Sequence, residues 1–100
     1  MSERILSTGP GCRIPVDQVR WRFGPSGGPG GQHANRAHTR VEAEVDLQTA
    51  RGIEAEIRDR LVAKLGPVIR VVVDKHRSQA RNRERALDEV EKRLCEALVE

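Results

Sequence analysis

Five of the chain's nine glycines fall between Gly24 and Asn35, in the run Gly-Pro-Ser-Gly-Gly-Pro-Gly-Gly-Gln-His-Ala-Asn. Glycine opens backbone angles closed to residues with a Cβ, and proline fixes φ near roughly −65° while removing an N–H. Neither a helix nor a strand can run through such a stretch, so residues 24–35 must be a loop of defined shape with the regular elements on either side. With side chains stripped back, main-chain N–H groups can approach a crowded substrate, and Gln32 is the functional side chain at the tip. The loop is a candidate active site.

Other loop types fit less well. Linkers are longer, serine-rich and join two domains, whereas only 23 residues precede this segment. A phosphate-gripping loop of the Walker type ends in Gly-Lys-Ser/Thr, and here Gly31 is followed by Gln32 and His33. A dinucleotide fingerprint starting at Gly28 and Gly30 would need its third glycine at His33.

Charge points to a polyanion. The formal net charge is +3, but residues 1–40 and 69–85 each carry +4, while residues 41–68 carry −2 and 86–100 carry −3. Positive charge thus gathers around the glycine loop and a second segment near Lys75. Fifteen of the eighteen basic residues are arginine, whose planar fork grips phosphate and stacks on bases; a GC-rich genome would favour the same choice. Cys12 and Cys95 match no zinc spacing and are read as free thiols of a cytoplasmic protein. No apolar run approaches the roughly twenty residues needed to cross a bilayer, so no membrane role is expected.

One hundred residues make one small domain with a modest core. Residues 1–12 are polar around Gly9-Pro10-Gly11 and are expected to be a flexible arm, with the domain proper over 13–100. From Gln18 the pattern alternates, with Val19, Trp21 and Phe23 on one side and Arg20 and Arg22 on the other. The two aromatics share their face with Val19 and are expected to be the heaviest core anchors, base stacking being the alternative. Thr39 to Leu47 alternates cleanly as a second strand, so the glycine loop should join two antiparallel strands and project from the end of their sheet, with a short helical turn weighed for 33–38.

Ile53, Ile57, Leu61 and Leu65 recur at helical spacing until Gly66-Pro67 stops them. Val68 to Asp74 is β-branched and apolar, reading as the most buried strand and hence a central one. Ser78 can cap a last helix to about Leu98, with Ala86, Leu87, Val90, Leu94, Ala97 and Leu98 as its apolar stripe. The resulting order, β-loop-β-α-β-α, implies an α+β fold: a small three-stranded sheet with two helices packed on one face.

The segment Gly27-Gly28-Pro29-Gly30-Gly31-Gln32-His33-Ala34-Asn35-Arg36 resembles the motif of class I peptide-chain release factors, and above all of the stand-alone peptidyl-tRNA hydrolases of the alternative ribosome-rescue factor B family. Ala34 and Arg36 stand where that family usually has valine and lysine. A second similar block, Lys75-His76-Arg77-Ser78-Gln79 with Asn82-Arg83 and Ala86-Leu87, follows about forty residues later, and the likeness covers roughly residues 13–94.

The resemblance implies a release-factor-like catalytic domain that hydrolyses the ester of P-site peptidyl-tRNA on stalled ribosomes, independently of a codon. Its catalytic residues would be Gly30, Gly31 and Gln32. The rival reading is a non-catalytic ribosome- or RNA-binding module of the same fold. Glycine and glutamine do not titrate near neutral pH, so these residues could order a water and stabilise developing charge but could not act as a base. By the resemblance, the Gln32 N–H would bond the leaving-oxygen region and its side chain would place water. Arg36, Arg40, Arg77, Arg81 and Arg83 are the expected contacts to rRNA or tRNA phosphates.

His33, His38 and His76 have no carboxylate in register and are read as solvent-facing or RNA-contacting. No metal site and no cofactor are expected, and the chain is taken as a monomer. Family members usually extend past the last helix into a basic tail. Here the last fifteen residues are acidic, so that tail is expected to be absent from this chain.

Overall fold

A computed structural model describes residues 4–25 and 38–99. Strands β1 (Ile5–Gly9) and β2 (Cys12–Pro15) form a hairpin, followed by a single 3-10 turn at Val16–Gln18. Strands β3 (Arg20–Gly24), β4 (Arg40–Asp46) and β5 (Val68–Val73) form an antiparallel sheet in the order β3-β4-β5. Helix α1 (Ala55–Leu65) joins β4 to β5, and α2 (Gln79–Leu98) packs over β4, β5 and β1. The architecture is the α+β arrangement expected from the periodicities.

The sheet has two chemically distinct faces, set by the register. On the inner face Trp21 lies opposite Ala43 and Val71, and Phe23 opposite Val41 and Val73. These rows meet the stripe of α2, where Ala86, Leu87, Val90 and Leu94 are buried together with Leu61 of α1. Each fully buried leucine contributes roughly 1.5–3 kcal/mol. On the outer face Arg20, Glu44 and Arg70 form one cross-strand row, tied by Arg70 to Glu44 at 2.8 Å and to Glu42 at 3.3 Å. The hydrogen bond from Arg70 holds the Glu44 carboxyl below the usual carboxylate range, with Arg20 and Arg22 adding their fields.

Helix ends follow the sequence signals. Ser78 Oγ accepts from the Arg81 N–H at 3.2 Å, and Gly66, at φ 84°, closes α1 with its N–H donating to Val62 O.

Three expectations are corrected. Ile5–Gly9 is not a loose arm but half of the hairpin: Leu6 and Ile14 are fully buried, and the Gly9-Pro10-Gly11 sequence makes the turn between the strands. A hairpin this short becomes legible only against what it packs on. Arg4 reaches α2 and pairs with Glu84, Asp88 and Glu91, each at 2.8 Å, and the Cys12 segment bridges to Ile53. Partial burial pulls the Arg4 guanidinium down, but the bonds to Asp88 and Glu91 outweigh it and raise it.

The second correction concerns strand order. The centre of the sheet is β4, and β5 is an edge strand whose Val68 and Val72 are 40% and 46% exposed. The polar alternates of β4 are accommodated because arginines from both neighbours neutralise them. Third, the core is aliphatic. Trp21 only packs against its margin, and Phe23 is 43% exposed, because α2 lies mainly over β4 and β5 and reaches β3 only at its edge. Cys12 is buried and Cys95 exposed, both as free thiols, and burial pushes the Cys12 thiol up.

Candidate functional site

The glycine loop leaves the sheet where Gly24 pairs with Arg40, the last register step between β3 and β4. Both ends of the loop are therefore anchored on adjacent strands. Gly30, Gly31, Gln32 and Arg36 lie outside the described residues, as do His33 and the helical turn weighed for 33–38, apart from His38.

What the structure does describe is how the exit of the loop is held. Asn82, in the first turn of α2 and fully buried, donates through Nδ2 to Thr39 O at 2.5 Å and to His76 O at 2.9 Å. Its Oδ1 accepts from the His76 N–H at 3.0 Å. One amide thus uses both donors and its acceptor to tie the loop exit, the β5–α2 turn and α2 together. Gln79 adds a second tie, donating from Nε2 to His38 O at 2.8 Å. A buried amide is costly unless satisfied, and each of these bonds contributes about 0.5–1.5 kcal/mol.

The second sequence block gains its reason here. Ser78 caps the helix, Gln79 and Asn82 clasp the loop exit, and Arg83 lies over the Trp21 ring at 4.9 Å from its centroid. The clasp has a signal in the sequence: Asn82 precedes Ala86 by one helical turn on the apolar stripe, where a polar residue needs an internal partner. Arg83's aromatic partner has none, because it comes from a strand some sixty residues away.

Among the described residues, two groups of arginines stand apart. Arg4, Arg20, Arg51, Arg70 and Arg93 are paired with carboxylates on the body of the fold. Arg77 and Arg81, expected as phosphate contacts, are exposed at the start of α2 and make no ion pair with a described residue. Arg40 is half-buried at the loop exit, with its guanidinium against Gly24. The structure therefore gathers Arg40, Arg77, Arg81 and Arg83 around the clasp at the loop exit. None of the four makes an ion pair with a described residue, whereas much of the acidic helix face is already engaged by Arg4. Among the described residues no cluster of three or more histidine, cysteine or carboxylate side chains could hold a metal ion, and no helix is long and apolar enough to cross a membrane.

The chain is similar to the large ribosomal subunit protein mL62 of Mus musculus, 28% identical over 91 residues, covering 84% of this chain and 44% of that protein. It spans a little under half the length of that relative. The RF-1 domain family matches residues 7–100, which takes in the hairpin strand β2, the glycine loop, the sheet and both helices. On that match, with the Gly-Gly-Gln motif carried between β3 and β4, the chain belongs to the RF-1 domain family of the class I peptide-chain release factor superfamily.

Proposed function

We propose that the chain is the catalytic domain of a codon-independent peptidyl-tRNA hydrolase that frees nascent peptides on stalled ribosomes. The observation that carries this reading is the RF-1 domain match over residues 7–100, which includes Gly30-Gly31-Gln32. A ribosomal protein among its relatives supports the ribosome as the place of action.

In this reading the reaction is ester hydrolysis. A water oxygen attacks the carbonyl carbon of the peptidyl ester, the bond to the terminal ribose oxygen breaks, and that oxygen takes up a proton. Gln32 works by position: its backbone N–H stabilises charge on the leaving oxygen, and its side chain orients the water. Gly30 and Gly31 allow the backbone to come close enough for this. The clasp from Asn82 and Gln79 anchors the exit of the loop, so that the motif is presented from a firm base. Arg40, Arg77, Arg81 and Arg83 supply attraction to rRNA and tRNA phosphates.

The test is release of labelled peptide from ribosomes stalled on a truncated message, with ribosome binding measured in parallel. Release above the spontaneous rate supports the hydrolase. Normal binding without release would instead leave a ribosome-binding module, the second reading, which rests on the exposed Arg77 and Arg81, in no ion pair with a described residue.

A further inference from the structure

Phe23 is the last inner-face residue of β3 before the glycine loop, and it is 43% exposed. Its ring lies parallel to that of Trp21, with 7° between the planes and 6.3 Å between the centroids. Arg83 covers the Trp21 ring at 4.9 Å. A phenylalanine this open gains less from burial than a core residue, and its free face is available to a partner. The column has a chemical character that packing does not require: two parallel π faces, a guanidinium on one of them, and an open ring at the foot of the loop.

We propose that Phe23, supported by Trp21 and Arg83, is a stacking platform for an unpaired nucleobase of RNA. The inference rests on the reading of the chain as RNA-directed and names where a base would be held. Bases stack on exposed aromatic rings irrespective of sequence, and arginine at the same place adds a cation–π contact and attraction to the neighbouring phosphate. The surroundings favour RNA over an apolar protein partner. The exposed Arg83 places a guanidinium on the column itself, and Arg40 stands at the same end of the sheet, opposite Gly24 and on the other face. An apolar partner surface would bring such charges into contact at a desolvation cost, whereas a nucleotide supplies both a π face and a phosphate. The open ring also sits beside the loop that carries Gly30-Gly31-Gln32, so a base held there would fix the position of the strand to which it belongs.

Trp21 is the chain's one tryptophan, so its emission reports on the platform without a label. The experiment is titration of the full chain with a short oligoadenylate, and with a ribose-phosphate oligomer of equal length that lacks bases. Oligoadenylate is expected to quench Trp21, while the abasic oligomer binds through phosphates and leaves the emission unchanged. Phe23→Leu keeps the apolar volume and removes the π face; it should weaken oligoadenylate binding about fivefold or more. Phe23→Tyr should bind like wild type. Equal quenching by the abasic oligomer, or unchanged affinity in Phe23→Leu, would overturn the platform. So would a loss of thermal stability in both Phe23 variants, which would make Phe23 a packing residue. Peptide release does not enter the readout: quenching without release speaks against the hydrolase alone, and release without quenching against the platform alone.

Discussion

The side-chain amide of Asn82 donates to the main-chain oxygen of Thr39 at 2.5 Å, so a residue in the first turn of α2 holds the segment that leaves the glycine loop. The same amide is hydrogen-bonded twice to the backbone of His76. Asn82→Ala removes three hydrogen bonds around a fully buried position. The expected loss is about 2–4 kcal/mol, read as a lower urea midpoint with an unchanged slope. Gln79→Ala breaks only the exposed tie to His38, and its stability should stay within about 0.5 kcal/mol of wild type. If the clasp positions the motif, Gln79→Ala should nevertheless release peptide more slowly at unchanged ribosome affinity. Full activity in that variant would restrict the clasp to a structural role.

On the proposed reading, Gly31→Ala adds a methyl where the loop backbone would lie beside the ester. Release should collapse while ribosome affinity and thermal midpoint remain close to wild type. Wild-type release rates in this variant would remove Gly31 from the catalytic set. Gln32→Ala is the milder test, since its backbone N–H survives the substitution.

Gly52 and Gly66 separate two ways in which a glycine can be required. Gly52 sits at φ 91°, and a Cβ there would lie 1.9 Å from Arg13 O, where the β2 backbone is hydrogen-bonded to Gly52 O. Gly52→Ala should therefore cost roughly 3 kcal/mol or more, a fall in Tm on the order of 15 °C. Gly66 has φ 84° with open space around it, so Gly66→Ala should cost only about 1 kcal/mol. Comparable losses in the two variants, measured by thermal unfolding, would contradict the steric account.

Acid should act on the outer face of the sheet. Glu44 is depressed below its unfolded value by Arg70, so its contribution is complete above the ordinary carboxylate range and is lost as pH falls through the depressed folded value. Arg70→Gln removes the main cause. Its stability deficit against wild type, read from urea midpoints, should be larger at neutral pH than in acid. A deficit that does not shrink on acidification would mean that the Arg70–Glu44 contact carries no net linkage.

Arg4 pairs with three carboxylates spaced along one face of α2, two of them largely exposed. Solvent screening limits the gain, and Arg4→Ala should cost about 1 kcal/mol, part of it from leaving Glu84, Asp88 and Glu91 to repel one another. Added salt should narrow the difference between the two proteins. A salt-independent deficit would point to packing of the Arg4 stem.

From β3 onward, the periodicities of the chain were sufficient to determine its elements. Alternation over Thr39 to Leu47 made β4, the four-residue recurrence from Ile53 to Leu65 made α1, and Ser78 and Gly66 marked helix ends, because local backbone preferences and the separation of apolar from polar faces act over a few residues. The Gly-Gly-Gln stretch likewise announced itself, since no regular element tolerates that composition.

Which strand neighbours which was decided by tertiary structure. An apolar pattern says how much of β5 avoids water, but β4 became central because Arg20 on one side and Arg70 on the other neutralise its carboxylates. The hairpin at Ile5 exists for the same kind of reason, held by the distant backbone of Gly52 and by carboxylates of α2. Phe23 and Asn82 exchanged the places that their chemistry alone would assign, the aromatic lying open at an edge and the amide buried. The last two outcomes depend on how far α2 reaches across the sheet, a distance set by packing and absent from any local stretch of sequence.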